Sequence, residues 1–431
     1  MMLITTVVTT VRKVCTNLGF YSTSPETKLT ANPLDYWAMN RFTRAIDARS
    51  SAALQLLCLL LALLLGSAAT AEIHIQETPD GGVQPRLSVD ENGNIHLLYF
   101  KKRLSAPSAR EGNLYYRQYL TDQARFGLPI KVSSSAYDIR TFAIARAAMA
   151  VGGDGRVHVV WYLPSDNQYY YSRSNAERSR FETQQPVADE FAEGLDAGAD
   201  VAALGSQVAI VWAAGDLSRE YERTVYGRIS TDSGATFSDE LQMGNKELGA
   251  CACCSLATDF GDENELAIAY RSAIDGVGRH MQALTVGFAD KAIESGNYAA
   301  LSPLQEWELS ACPLSTNDIT VDAEDNQWLV FETEARIQQL QLGVGAEATP
   351  VAEPFIKTRQ KNPALAINAE GDRLIVWGEA ISHTRGGRLN MHLFAEDGMD
   401  KNTEFVEEVT IPKFSFPATV ALPGGDFLVL Y

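Results

Sequence analysis

A short pattern recurs seven times along this 431-residue chain and constrains its fold more than any other feature. Each copy combines a short strand, a turn rich in acidic residues or glycine, and a second strand that usually ends on an aromatic residue. The copies lie at residues 85–99, 147–161, 201–212, 255–270, 319–331, 363–377 and 417–431. Their spacing of roughly 45–65 residues is typical of repeat arrays. The pattern predicts an all-β fold, a β-propeller with seven repeat units, or six if one strand pair belongs to a neighbouring blade.

The repeat also predicts how the blades are oriented. In each blade the innermost strand comes first, so the loops after the second strands share a face with the crossings between blades. We call this the crossing face. Residues 72–77 are expected to add an outer strand to the last blade and close the ring, which removes exposed sheet edges.

The N-terminal part of the chain differs in composition from the repeats. Residues 53–66 form an apolar run that is too short for a comfortable membrane span, follows Arg41, Arg44 and Arg49, and precedes Ala69-Thr70-Ala71. This layout predicts a signal peptide at 39–71, cleaved after Ala71, with an uncleaved anchor as the alternative. Residues 1–38 then form a non-native upstream extension, and 72–431 form a single propeller domain that is periplasmic or secreted.

Charge narrows the classes of partner. The predicted domain carries 30 basic and 51 acidic residues, a net charge of −21. Such a chain is a poor candidate for nucleic acid or for anionic membrane surfaces. We expect a monomer with no stable membrane span after signal cleavage.

Residues 230–237 read Ser-Thr-Asp-Ser-Gly-Ala-Thr-Phe and predict a specific turn. Asp232 can accept backbone N–H bonds across the turn, Gly234 can adopt a positive φ, and Phe237 can anchor the turn between two sheets. The residues of this structural motif are Ser230, Asp232, Gly234, Thr236 and Phe237.

This pattern is an Asp-box, and with it the chain resembles the sialidase-like (BNR/Asp-box repeat) β-propeller superfamily over most of residues 84–431. A closer resemblance is to a bacterial exported subgroup in which Cys-x-Cys-Cys opens one blade and Ala-Cys-Pro opens the next. The matching segments are Cys251-Ala-Cys-Cys254, Tyr270-Arg271, Arg279-His280-Met281 and Ala311-Cys312-Pro313. The resemblance implies a sialidase-like fold and no particular activity.

Active sialidases grip a substrate carboxylate with three arginines, use a Tyr activated by a Glu as the nucleophile, and use an Asp as the acid. The candidates that this resemblance implies are Arg86, Arg271, Arg279, Glu332 and Glu379. Residues 101–103, where the acid is expected, are Lys, Lys and Arg. We favour the non-catalytic alternatives for these residues. Arg271 and Arg279 then have a packing role with a salt bridge, and the glutamates lie at solvated loop positions.

Four cysteines remain in the predicted domain, and the repeat places them together. Cys251, Cys253 and Cys254 lie at the crossing into blade 4, and Cys312 lies at the crossing into blade 5. Neighbouring crossings share one face, so the four thiols are expected to converge. Three interpretations stay open: disulfides, for example Cys312 with Cys251 or Cys254; a thiolate site for Cu or Zn; or thiol-redox chemistry.

These observations support one first hypothesis and two alternatives. The first is an exported propeller that binds a ligand, a glycan or another small molecule, on the face carrying the cysteines, Arg271 and Arg279. The second is a sialidase-type glycoside hydrolase. The third is a thiolate metal-binding (Cu or Zn) or thiol-redox protein.

Overall fold

The structure is a computed structural model. It describes residues 71–104, 110–139, 146–196, 198–262, 265–289, 292–300, 305–343, 347–353, 358–380, 385–401 and 408–431. The predicted upstream extension and all but the last residue of the predicted signal peptide lie outside the described residues.

The described chain forms seven separate small sheets, one for each repeat, arranged as a seven-bladed β-propeller. The alternative with six blades is therefore wrong. Each two-strand repeat keeps its own sheet because its second strand pairs with a third strand, which follows it in the chain in blades 1 to 6 and comes from the N-terminal part of the chain in blade 7. The strands of blades 1 to 3 are Val83–Val89, Ile95–Lys102, Glu111–Leu120, Arg125–Phe126, Ile130–Lys131 and Tyr137–Asp138; Ala148–Val151, Val157–Leu163, Gln168–Arg173 and Gln185–Pro186; and Asp200–Leu204, Gln207–Ala214, Thr224–Ser230 and Leu241–Gln242.

Blades 4 to 7 repeat the same order from the centre outward. Their strands are Ala257–Asp262, Glu265–Arg271, Met281–Ala289 and Ala292–Ala300; Asn317–Val321, Gln327–Thr333, Arg336–Gln341 and Thr349–Pro350; Gln360–Ile367, Arg373–Glu379, Gly387–Phe394 and Thr410–Ile411; and Ala418–Ala421, Phe427–Leu430 and Ile73–Gln76. The described helical structure consists of short 3-10 turns at Pro79–Gly81, Thr121–Gln123, Glu220–Glu222 and Lys246–Leu248.

The ring is closed by the N-terminal strand, as the sequence predicts. Ile73–Gln76 pairs in parallel with Phe427–Leu430, the second strand of blade 7. Because the two strands lie at opposite ends of the propeller sequence, this pairing joins the first part of the chain to the last. It also covers an edge that would otherwise present unpaired backbone groups.

The first strand of each blade contacts the first strands of both neighbouring blades, which makes an inner ring of seven strands. Side chains alternate between the two faces of a strand, so each blade can pack against both neighbours. Accordingly, every pair of neighbouring blades shares its own buried apolar cluster. Second strands such as Val157–Leu163 are buried along their whole length, because apolar neighbours cover both of their faces.

The described residues include no helix that is long and apolar enough to cross a membrane.

Candidate functional site

The four cysteines of the predicted domain lie together on the crossing face, and we call them the cysteine cluster. Cys253 and Cys312 form a disulfide across two neighbouring crossings, with their Cα atoms 6.2 Å apart. The predicted pairing of Cys312 with Cys251 or Cys254 is therefore wrong. Cys251 and Cys254 instead contact each other, which leaves Cys253 as the partner within bridging distance of Cys312.

Cys251 and Cys254 are free and buried. The thiol of Cys251 donates to Sγ of Cys254 at 3.6 Å, and Sγ of Cys251 also lies 3.6 Å from Sγ of Cys253. This hydrogen bond lowers the pKa of Cys254 to about 6, helped by the positive charge of Arg271. The same hydrogen bond and burial raise the pKa of Cys251. The two thiols therefore share one proton near neutral pH.

Arg279 stands beside these thiols and is only 4% exposed. Its Nη2 donates to Oε2 of Glu220 at 2.6 Å, and the other carboxylate oxygen of Glu220 accepts from the backbone N–H of Ala252 at 2.9 Å. Nε and Nη1 of Arg279 are buried and have no hydrogen-bond partner. Since a buried donor without a partner is costly, these N–H groups are available to an anion at the cluster.

Arg271 holds the crossing in place through backbone carbonyls. Its Nη1 donates to the carbonyl of Arg279 at 2.8 Å, and its Nη2 donates to the carbonyl of Glu332. The guanidinium lies 5.1 Å from the ring centre of Trp307, a cation–π contact. In turn the carbonyl of Arg271 accepts from the N–H of Cys251 at 2.9 Å, so its position is coupled to the cluster.

The two glutamate candidates are not solvated loop residues, which corrects the sequence-based expectation. Glu332 is fully buried at the end of a second strand, where Oε1 accepts from Arg359 at 2.7 Å. Glu379 is also buried, and its Oε1 accepts from Gln360 at 3.2 Å. Glu332 is the next-to-last residue of the strand Gln327–Thr333, and Glu379 is the last residue of Arg373–Glu379. The sequence pattern assigns both to the following loop because the aromatic residue before them marks the apparent end of the strand.

Arg86 does not join Arg271 and Arg279, because its side chain points into the central channel. There its Nη1 donates to Oδ1 of Asp318 at 2.7 Å, an ion pair between blades 1 and 5. A cavity of about 840 Å³ extends from this pair to the turns between first and second strands. Arg86 therefore cannot bind the same carboxylate as Arg271 and Arg279.

Three aspartates surround Arg86 in the channel, and we call these four residues the channel charge cluster: Arg86, Asp200, Asp259 and Asp318. Oδ2 of Asp200 accepts from the N–H of Thr258 at 2.9 Å, in the next blade. Burial, with the nearby negative charges of Asp200 and Asp318, raises the pKa of Asp259 to about 7. The cluster thus links blades, and the Asp259 carboxyl stays mostly protonated below about pH 7.

The Asp-box of blade 3 lies at the end of that blade's third strand. Oδ1 of Asp232 accepts from the N–H of Thr236 at 2.9 Å and from the hydroxyl of Ser230 at 2.7 Å. Gly234 has a φ of +72°, and the ring centre of Phe237 lies 5.0 Å from that of Tyr171 in blade 2. These contacts are confined to the turn and its packing between blades.

Two residues at the cysteine cluster were not identified from the sequence. Glu220 lies in the loop after the second strand of blade 3, so the shared-face rule applied to every such loop would have found it. Lys361 donates to the carbonyl of Leu314 at 3.2 Å, beside Cys312. No local motif marks Lys361, and only the packing of blade 6 against the crossing places it there.

Comparisons with known proteins add little to this picture. No protein-family model matches the chain, and no curated protein matches it significantly. The resemblance to sialidase-like propellers therefore stays a prediction.

Solved structures with a similar backbone fold have low sequence identity to this chain. A protein of unknown function from Dyadobacter fermentans has 12% identity and a TM-score of 0.48, over 75% of this chain and 96% of that one. An α-L-arabinanase from Penicillium chrysogenum has 11% identity and a TM-score of 0.46, over 76% and 98%. An α-L-arabinofuranosidase from Fusarium graminearum has 11% identity and a TM-score of 0.43, over 72% and 92%. Similarity at this level says nothing about what this chain binds or catalyses.

Proposed function

We propose that this propeller binds a soft metal ion, Cu(I), on the crossing face through the thiolates of Cys251 and Cys254. The proposal keeps the predicted ligand site on this face and takes a metal ion as the ligand. One observation carries it: two free, buried cysteines contact each other beside a buried arginine whose Nε and Nη1 have no partner.

The number of available ligands favours Cu(I) over zinc. Soft thiolates select Cu(I) and zinc alike, but structural zinc sites almost always have four protein ligands. With Cys253 and Cys312 bridged, only two thiols of the cluster are free. The nearby carboxylate of Glu220 already accepts from Ala252 and Arg279. Cu(I) forms stable complexes with two thiolates, so it needs no further ligand.

Charge compensation supports the same ion. Two thiolates and Cu(I) make a complex with one negative charge, which is costly to bury without a positive partner. Arg279 interacts electrostatically with both free thiols, and Arg271 interacts with Cys254. The N–H groups of Arg279 that lack partners would then gain a charged acceptor.

No specific observation favours hydrolysis. A sialidase-type site needs a Tyr–Glu pair and an acid facing an arginine cluster. Among the described residues, Glu332 is paired with Arg359 and Arg86 is paired with Asp318.

The test is a Cu(I) titration under anaerobic conditions, in competition with a chromophoric Cu(I) chelator, on protein purified from an exporting host. We expect two free thiols under denaturant and one Cu(I) per chain. The double variant Cys251→Ser/Cys254→Ser should lose more than about 100-fold in affinity, since outer-shell partners alone are worth about 10–100-fold.

The matched control is Ser255→Ala, which removes a buried hydroxyl next to Cys254 and should bind as the wild type does. The same titration with zinc should show weaker, non-stoichiometric binding. Equal Cu(I) binding by the wild type and the double variant would reject the proposal.

A further inference from the structure

The two cysteines of the disulfide differ in their exposure to solvent. Cys253 is 7% exposed and lies inside the cysteine cluster, whereas Cys312 and its neighbours Ser310 and Ala311 are exposed. A thiol–disulfide exchange begins with a thiolate attacking one sulfur atom, and access decides which one. We therefore expect a reductant from solution to reach Cys312 in preference to Cys253.

The buried half of the bridge is also a member of a ligand set. The Sγ atoms of Cys251, Cys253 and Cys254 all lie within 4.8 Å of one another. In the bridged state Cys253 has no free thiolate, so the set offers two ligands. When the bridge opens, Cys253 becomes the third thiolate, 3.6 Å from Cys251.

We propose that the Cys253–Cys312 disulfide is a redox lock on the metal site, opened by attack of a dithiol reductant on the exposed Cys312. This inference rests on the proposed function. Opening the lock converts a site with two thiolates into one with three, which holds Cu(I) more tightly because each added thiolate is a further soft ligand. The partner is therefore a dithiol, either a small molecule or an oxidoreductase with an accessible thiol pair.

The reaction balances without any other reactant. A thiolate of the dithiol bonds to Sγ of Cys312, the bond between Cys312 and Cys253 breaks, and its electron pair leaves on Sγ of Cys253. The second thiol of the reductant then attacks the mixed disulfide, forms the reductant's own disulfide, and releases Cys312, which takes up a proton. One dithiol loses two electrons, and the bridge gains them.

Two single variants give a matched test, because each one removes the bridge but only one leaves Cys253 in the cluster. Cys312→Ser keeps Cys251, Cys253 and Cys254 as thiols, and Cys253→Ser keeps only two of them at the cluster. Free thiols are counted first, and Cu(I) affinity is then measured by chelator competition under anaerobic conditions. The wild type is measured with the bridge intact and after treatment with dithiothreitol, which is then removed.

We expect Cys312→Ser and the reduced wild type to bind Cu(I) at least about tenfold more tightly than the bridged wild type, a difference of about 1.4 kcal/mol. Cys253→Ser should match the bridged wild type. Trapping with an alkylating reagent early in the reduction should label Cys253 in addition to the free Cys251 and Cys254, while the reductant stays attached to Cys312.

The possible failures are distinguishable. If no form of the protein binds Cu(I), the proposed function is wrong. If all forms bind it equally, the site stands and the lock does not. Early reductant attachment at Cys253 instead of Cys312 would also overturn the lock, because the direction of attack would then be reversed.

Discussion

The cysteine cluster and the channel charge cluster both bury polar groups from different blades, but they satisfy those groups differently. In the channel, Arg86 pairs with Asp318, and Asp200 accepts an N–H from the next blade. At the cysteine cluster, two guanidinium nitrogens of Arg279, Nε and Nη1, have no partner. A saturated polar cluster mainly links structural elements, whereas an unsaturated one retains capacity for a ligand. This difference is the basis on which we assign a structural role to the channel and a binding role to the cysteine cluster.

The two clusters also link blades by different means. A covalent bridge joins the crossings into blades 4 and 5, across 59 positions of sequence. An ion pair joins blades 1 and 5 across 232 positions. The comparison therefore predicts that each link contributes to stability on its own, and that only the first one affects metal binding.

The largest effect is expected from the disulfide. Either Cys253→Ser or Cys312→Ser should lower the free energy of unfolding by about 3–4 kcal/mol, because the unfolded chain regains the freedom of a loop of this length. Urea unfolding with and without dithiothreitol measures it, and the reductant should bring the wild type to the level of the variants. A wild-type midpoint that does not respond to reductant would contradict the prediction.

The ion pair in the channel should have the next largest effect. Asp318→Ala leaves Arg86 without its partner and removes an acceptor for the N–H of Leu365. We expect a loss of about 3 kcal/mol, the lower end for a broken buried pair, because Asp200 and Asp259 still face Arg86.

The control for the channel pair replaces both partners. Arg86→Met/Asp318→Leu should be more stable than Asp318→Ala, because neither partner of the ion pair is left without the other. Both variants should bind Cu(I) as the wild type does. A change in Cu(I) affinity in either one would mean that the two clusters are coupled, and the comparison between them would fail.

The sequence predicts those features of the molecule that are encoded locally along the chain. The repeat predicts the propeller and the strand that closes it, because a local strand pair recurs at a regular period and each copy needs neighbours to bury its second face. Cys251, Cys253 and Cys254 stand out because they are adjacent in the chain. The crossing rule places Cys312 beside them.

The remaining features depend on the closed ring. Asp259 and Asp318 face Arg86 only because seven first strands meet around one axis, and no local spacing records that meeting. The disulfide partner of Cys312 also escaped prediction, since three cysteines within four residues are equivalent until side-chain directions are known. Glu332 and Glu379 were misassigned because a strand end and a loop start look alike in sequence.

The channel should also give the protein a distinctive pH dependence. The pKa of Asp259 is raised to about 7 in the folded chain, above the ordinary value of 3.8. Between these values the unfolded chain has lost a proton that the folded chain still holds, so stability is full below about pH 4 and falls as the pH rises to about 7.

Asp259→Asn should remove this fall while keeping the shape of the side chain. We expect about 1–2 kcal/mol across the window, less than the full shift would give at about 1.4 kcal/mol per unit, because Asp259 is only partly buried and water in the channel screens it. Thermal unfolding at several pH values measures it, with the exposed Asp122→Asn as control. Parallel curves for the wild type and Asp259→Asn would contradict the assignment.

The smallest effect is expected from Arg279, whose N–H groups without partners distinguish the cysteine cluster from the channel charge cluster. Arg279→Met keeps much of the buried volume but removes the positive charge beside Cys251 and Cys254. If the unpartnered N–H groups serve a bound anion, Cu(I) affinity should fall about tenfold, the scale of an outer-shell partner.

Arg359→Met is the matched control. Arg359 lies on the same face, but its guanidinium forms an ion pair with Glu332. It should leave Cu(I) affinity unchanged. Glu220→Gln should keep or raise the affinity, since Arg279 then loses its competing charged partner. An Arg279→Met variant that binds Cu(I) as tightly as the wild type would show that the unsatisfied donors are a local packing defect. In that case electrostatics would give no more reason to expect a ligand at the cysteine cluster than at the channel charge cluster.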